Sequence, residues 1–219
     1  MEEMNQINKN RMVLLLIAGI PLTVILVATW LWYFVVNGDL NLVGMLGTAN
    51  RGTLVQPPRQ LDEYELHDAG GLRFKYADLE SRWTMLVPGA GARCDDVCEH
   101  SLYVTRQIHV AMGESFARLQ RMYISDTLEE NTELAVQELS DQRPAPPDFA
   151  RYLAAEHRGL KTLTLDSGDF GLLFGEYGED PSTWYLVDPQ GWIMMSYNAE
   201  VPYKDVIADL KFLLKNSSE

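Results

Sequence analysis

The sequence predicts an α/β domain, a mixed sheet flanked by helices, preceded by one N-terminal transmembrane helix. Three observations carry this. From residue 83 onward, short apolar runs of strand type alternate with amphipathic stretches, and the chain closes with a strand–turn–strand and a helix. The two cysteines, Cys94 and Cys98, stand where one of those strands hands over to a helix. Residues 12–36 carry no charged side chain, and about 25 such residues suffice to cross a bilayer with some tilt.

The N-terminal run has Trp30, Trp32 and Tyr33 near its far end, where aromatic rings favour the water interface, and Pro21, which is expected to kink it. Its apolar core is too long for a cleaved signal, and no small-x-small site follows, so a retained anchor is expected. Lys9 and Arg11 precede it, and the first cation beyond it is Arg51. The positive-inside rule therefore places residues 1–11 in the cytoplasm and everything after Val36 on the outer, periplasmic side of a bacterial inner membrane. Residues 37–60, with Gly38, Gly44, Gly47, Gly52 and Pro57-Pro58, read as a tether, and the folded domain is expected over 61–219. Glu2, Glu3, Lys9 and Arg11 cancel, so the net charge of −13 falls on residues 37–219. That argues against nucleic acid and against adhesion to anionic lipid, and leaves an acidic face able to attract a basic partner.

Within the domain, Leu61 to Phe74 reads as a short hairpin around Asp68-Ala69-Gly70-Gly71. Trp83 to Pro88 is nearly all apolar, as a buried central strand should be. A helix from Ser101 to Met112 presents Leu102, Ile108 and Met112, with Gly113 as its stop. Leu119–Ser125 is the next strand. The acidic stretch 127–142 reads as a helix or a mobile insert, broken by Pro144, Pro146 and Pro147. Pro147-Asp148-Phe149 opens a helix that Gly159 ends, and Leu160–Leu165 follows as a strand. Trp184–Val187 and Trp192–Tyr197 flank a turn, Asp188-Pro189-Gln190-Gly191. Residues Tyr203 to Lys215 form a terminal helix with Val206, Ile207, Leu210, Leu213 and Leu214 on its apolar face.

The chemistry concentrates at Cys94-Asp95-Asp96-Val97-Cys98. Free backbone N–H groups and the positive end of a helix dipole stabilise thiolates at such a position. Thiols four residues apart on a helix share a face, with Cα atoms roughly 6 Å apart, inside the disulfide range. The same geometry grips a soft ion such as Cu(I). A disulfide, a metal pair and two unrelated buried cysteines all remain open here. Asp95, Asp96 and Glu99 would raise a neighbouring thiol's pKa and favour slow, selective exchange. No zinc spacing, phosphate loop or Ser/His/Asp triad is visible.

A buried strand, a dithiol at a helix start and a late strand–turn–strand ending in a helix resemble the thioredoxin fold. Cys94-Asp95-Asp96-Val97-Cys98 is similar to the Cys-Pro-Asp-Val/Ile-Cys loop of the Sco/SenC proteins, and Tyr185-Leu186-Val187-Asp188-Pro189-Gln190-Gly191 resembles their Tyr-Leu-hydrophobic-Asp-Pro-x-Gly hairpin. The likeness spans about residues 61–215. It implies a thioredoxin-like domain on a single anchor that assists assembly of respiratory cytochrome c oxidase, with an oxidase subunit or another assembly factor as partner. Asp95 and Glu99 stand where the family has proline. The family's copper site adds a histidine to the two cysteines, and the matching position holds Asp180.

Pro181 occupies the place of the cis-proline that the thioredoxin fold sets opposite its dithiol. His100 is expected on the surface, His109 in a structural role, and His67 and His157 away from the site. Of Met194 and Met195, one should be core and one exposed, since neighbours on a strand point to opposite faces. The resulting expectation is thiol-disulfide exchange by Cys94 and Cys98, an oxidoreductase in the broad sense. Cys94, the more exposed, would attack and Cys98 resolve. The alternatives are a Cu(I) carrier using both sulfurs, and a non-catalytic membrane-bound scaffold.

Overall fold

The computed structural model describes residues 2–36 and 50–217. They fall into two units, which divide between Ala49 and Asn50. The first is a helix, α1 (Glu2–Val36), which continues through Pro21. Leu15, Ile17, Ile20, Val24, Leu26, Trp30 and Trp32 are exposed along it. Thr23 and Thr29 turn their hydroxyls back onto the carbonyls of Ile20 and Ile25, at 2.9 and 2.8 Å. Among the described residues no helix is long and apolar enough to cross a membrane. The side chains at 13, 14, 31 and 34–36, all inside the uncharged run, lie outside that description.

The second unit carries ten strands, β1 (Thr53–Gln60), β2 (Leu66–His67), β3 (Arg73–Phe74), β4 (Trp83–Gly89), β5 (Arg93–Cys94), β6 (Leu119–Ser125), β7 (Glu133–Leu134), β8 (Leu160–Thr164), β9 (Trp184–Val187) and β10 (Trp192–Tyr197). Its helices are α2 (Asp96–Ala111), α3 (Phe149–Glu156), α4 (Ser167–Leu173), α5 (Gly175–Glu179) and α6 (Tyr203–Asn216). Eight strands form one sheet in the order β1-β10-β9-β4-β6-β8-β2-β3, while β5 and β7 pair apart from it. β4, β6 and β8 run parallel, and β9, β10 and β1 are antiparallel. This is the mixed α/β architecture expected.

Side-chain alternation sorts the strands between two apolar layers. Met85, Val87, Leu119, Tyr123, Trp184 and Leu186 pack with α2, α3 and α6. Leu86, Met122, Ile124, Tyr185 and Val187 pack with Phe170, Leu173 and Phe174 of the α4–α5 region. Met195 is buried and Met194 half-buried, but both pack with the α2 layer, because an irregularity in β10 between Ile193 and Met195 interrupts the alternation that would have set them on opposite faces. Gly191, at φ +89°, closes the β9–β10 turn in a conformation that L side chains resist. At Gly89 a Cβ would collide with the Tyr123 ring and hydroxyl, so glycine leaves room for that side chain over the end of β4.

Two expectations change. Of the proposed tether, residues 37–49 lie outside the described residues, but 53–60 are strand β1. Thr53 and Leu54 pair with Ser196 and Met195, and Arg59 and Gln60 with Ile193 and Trp192. The prolines are tolerated because β1 is an edge strand, where one side needs no N–H donor. The stretch 127–142 is neither a helix nor a free insert. It contains a 3-10 turn at Glu129–Asn131, strand β7, and a bridge between Glu138 and Pro144. Helices α4 and α5 were not foreseen. Asp166 caps α4 by accepting from Gly168 N at 2.9 Å, and Phe170, Leu173 and Phe174 at i, i+3, i+4 were the available signal.

Candidate functional site: a roofed disulfide

β4 ends at Gly89, and the loop after it is held by Gly91 N on Asp126 Oδ1 at 2.7 Å. It delivers Cys94 at the end of β5 and Cys98 in the first turn of α2. Asp95 is the N-cap. Its Oδ1 accepts from Val97 N at 3.1 Å and Cys98 N at 3.2 Å. A capping carboxylate satisfies amides otherwise left without partners and opposes the helix dipole. So Asp95, in a place where the resembling loop has proline, does structural work.

Cys94 and Cys98 form a disulfide, with Cα atoms 5.2 Å apart. Both belong to the apolar layer against α2. Cys94 is 0% exposed and Cys98 8%. This reverses the expected order, in which Cys94 was the exposed sulfur. The cause is the segment 127–147. β7 runs parallel to β5, with Glu133 N on Ala92 O at 2.9 Å and Ala135 N on Cys94 O at 2.8 Å. Leu134, Val136, Leu139 and Ala145 then pack over the layer that holds the disulfide.

Charged side chains pin this roof. Glu99, 3% exposed, accepts from Ser140 through both its N–H and its hydroxyl, and from the Tyr152 hydroxyl at 3.3 Å. Burial beside the Glu99 carboxylate pushes the Tyr152 phenol well above its ordinary range, burial being the larger cause. Glu156 accepts from Arg106 at 2.7 Å and from Arg143 at 2.9 Å, and Arg143 also reaches Asp141 at 2.7 Å. The Arg143 hydrogen bond is the first cause holding the Glu156 and Asp141 carboxyls below the usual range.

The histidines stand apart from the sulfurs. His100 is exposed, with Nδ1 3.1 Å from the Ser140 hydroxyl. His109 stacks on Phe116 and hydrogen-bonds its carbonyl at 3.0 Å. His67 lies in β2. His157 is 2% exposed and faces Arg121, with Nδ1 3.1 Å from the guanidinium; its Nε2 has no hydrogen-bond partner. Burial first, and then Arg121 and Arg106, lower its pKa to about 3.

Copper would need Cys94 and Cys98 as free thiolates, which this disulfide form does not offer. The two sulfurs are bonded to each other, and among the described residues no three His, Cys, Asp or Glu side chains gather as a metal group. Asp180, expected to face the sulfurs, instead accepts from Ser182 N at 2.9 Å, Ser182 Oγ at 2.7 Å and Asn198 Nδ2 at 3.0 Å. These bonds, the Ser182 hydroxyl first, hold its carboxyl below the ordinary range. Nor is Pro181 the expected cis-proline: the cis bond among the described residues is Gln56–Pro57.

An apolar groove of about 850 Å³ opens beside Asp96 and Val97, between α2 and the start of α6, floored by Val104, Trp184, Val201 and Val206. It shares Asn198, Val201 and Pro202 with a second depression bearing Glu176, Glu179, Glu200 and Asp205.

A central mixed sheet, helices on both faces and a cysteine pair at the first turn of the helix after β4 define the thioredoxin fold. The family described as "Transmembrane-like, thioredoxin-like, C-terminal domain" matches residues 83–217, more than half of the chain, and the chain belongs to that family. Among solved structures, yeast Sco1 with copper bound is 18% identical, with TM-score 0.51 over 78% of this chain and 97% of that one. Apo Sco1 from Thermus thermophilus is 19% identical, with TM-score 0.51 over 76% and 99%. ScoI from Arabidopsis thaliana with copper bound is 16% identical, with TM-score 0.50 over 70% and 97%. The chain is thus a divergent, Sco-like version of the thioredoxin fold. No curated protein matches it.

Proposed function

We propose that this chain is a membrane-anchored assembly factor for a respiratory oxidase that acts on a partner protein by thiol-disulfide exchange through Cys94 and Cys98. The observation that carries the reading is the formed disulfide at the capped start of α2 in a Sco-like fold. The oxidase as client rests on the likeness of the cysteine loop and the Tyr185–Gly191 hairpin to the Sco/SenC motifs. The anchor rests on the uncharged run at 12–36 and on the exposed apolar side chains of α1. Lys9 and Arg11 support an N-terminus in the cytoplasm and a domain in the periplasm, where disulfides persist. Cys98 is the sulfur an incoming thiolate meets first, because Cys94 has no exposed surface. Attack by a partner thiolate on Cys98 releases Cys94 as thiolate; a second partner thiolate then attacks the mixed disulfide, Cys98 leaves as thiolate, and the partner departs with the disulfide while the cysteine pair is reduced by two electrons. The groove beside Val97, continuous with an acidic depression, suits an apolar segment with basic flanks.

The test is a trap. With Cys94→Ala in cells, the Cys98 thiolate should attack the disulfide of the oxidised partner, the reverse of this exchange, and hold the partner as a mixed disulfide that reductant releases, and an alkaline phosphatase fusion after Glu219 should be active. A Cys98 that captures nothing, in a chain whose disulfide never opens in cells, would leave the scaffold reading. A copper-carrier reading is favoured by the copper-bound yeast and Arabidopsis structures. Stoichiometric Cu(I) on the reduced chain would move it ahead.

A further inference from the structure

We infer that residues 127–147 are a displaceable lid over the disulfide, and that Glu99 with Ser140 is its latch. The inference deepens the exchange reading by assigning the step that must precede it. Three sets of contacts define the lid. Its first arm, β7, is held to the cysteine strand by the Glu133 N–Ala92 O and Ala135 N–Cys94 O bonds, a ladder only two residues long on each side. Its tip folds back on itself, with Leu139 N on Arg143 O and Ala145 N on Gln137 O, both within 2.9 Å. Between arm and tip, Ser140 donates twice to a carboxylate that has almost no contact with water.

Glu99 follows Cys98 directly, so the latch sits on the same helical turn as the sulfur it guards. Bonds to a buried carboxylate are the strong ones, and the amide and hydroxyl of Ser140 are two of the three that this one accepts. Losing them frees the tip while Tyr152 keeps Glu99 in place. The rest of the roof is apolar packing by Leu134, Val136 and Leu139, which an incoming apolar segment replaces in kind, and the ion pairs of Arg143 with Glu156 and of Asp141 with Arg106 at its tip. Opening therefore breaks a short ladder, the latch and the half-exposed pairs of Asp141 and Arg143, and leaves the eight-stranded sheet intact.

The experiment follows reduction of the disulfide in the full chain, in detergent micelles, by dithiothreitol. A reagent thiolate attacks Cys98 Sγ, the Cys94–Cys98 bond breaks, and Cys94 leaves as thiolate. The second reagent thiol displaces Cys98 and closes the reagent's cyclic disulfide, so two electrons and two protons pass to the cysteines. Ser140→Ala and Glu99→Gln should each speed reduction about tenfold, the effect of weakening one charge-assisted bond. Ser140→Thr should restore the slow rate. Exchange of the Ala135 amide with deuterium should accelerate in the same variants. If Glu99→Gln does not fold, Ser140→Ala decides alone. Equal rates in wild type and Ser140→Ala would overturn the lid. Because the reagent needs no partner protein, a tenfold acceleration with no trapped partner would sink the exchange reading and leave the lid standing.

Discussion

The two faces of the sheet are made by alternate residues of the same strands, yet they differ in kind. The face toward α4 and α5 is closed by Leu61, Leu66, Phe170, Leu173 and Phe174, and its polar groups include the phenols of Tyr76 and Tyr185 and the Arg59–Glu176 ion pair beside Tyr185. Tyr76 reaches Thr84 at 2.6 Å, and Tyr185 reaches Glu176 at 3.0 Å. The face toward α2, α3 and α6 holds the disulfide and buries Glu99, Arg121, His157 and Asp209. Buried charges cost stability unless each finds partners. Three of these do: Glu99 through Ser140 and Tyr152, Arg121 through His157, and Asp209 through the amides of Arg51 and Gly52. His157 keeps an orphan nitrogen. One face is closed mainly by apolar side chains, and the other surrounds the disulfide with buried charged groups and their partners.

The contrast is most easily broken on the apolar face. Phe174 is 1% exposed and lies against Phe170 and Tyr185, with ring centroids 4.9 and 5.4 Å away. Phe174→Ala should lower the unfolding free energy by about 3–5 kcal/mol, measured by urea denaturation, while leaving the rate of disulfide reduction in the folded protein unchanged. A changed reduction rate would show that the two faces are coupled.

The disulfide face should respond to pH. The folded His157 pKa lies near 3, below the ordinary 6.5. The unfolded chain therefore binds a proton below about pH 6.5 that the native chain refuses until about pH 3. Stability is full above that window and falls as pH drops through it, by about 3 kcal/mol between pH 7 and 4.5. The carboxylates paired with Arg143 lose their contribution only further down, because their pKa values are already depressed. His157→Gln should flatten the stability curve between pH 7 and 5. An unchanged slope would assign the acid sensitivity elsewhere.

The smallest effect concerns the cap. Asp95→Ala should cost about 1 kcal/mol of stability, and it removes an anion beside the Cys98 amide. A loss near zero in denaturant titration would mean that the first turn of α2 is held by the disulfide alone.

Much of this architecture was legible in the sequence because it is local. Strand and helix periodicities marked β4, β6, β8, β9, β10, α2, α3 and α6, and the composition of Asp188–Gly191 marked the turn. The dithiol at the helix start was visible from the strand-to-helix handover and the cysteine spacing. Three things were not. The prolines of β1 read as tether, since pairing with β10 depends on an edge far off in sequence, 132 residues for Gln60 with Trp192 and 143 for Thr53 with Ser196. The carboxylate of Asp180 was expected at the sulfurs, but Ser182 and Asn198 claimed it. The acidic stretch 127–142 has no periodicity that announces a roof. Its course is set by one short parallel pairing and a buried carboxylate forty-one residues upstream of Ser140. Sequence by itself determined the central strands, the longer helices of the domain and the place of the cysteine pair, because backbone propensity and side-chain alternation act over a few residues. Tertiary structure decided which sulfur is covered and what covers it, because exposure is a property of everything packed around a residue and not of its neighbours in the chain.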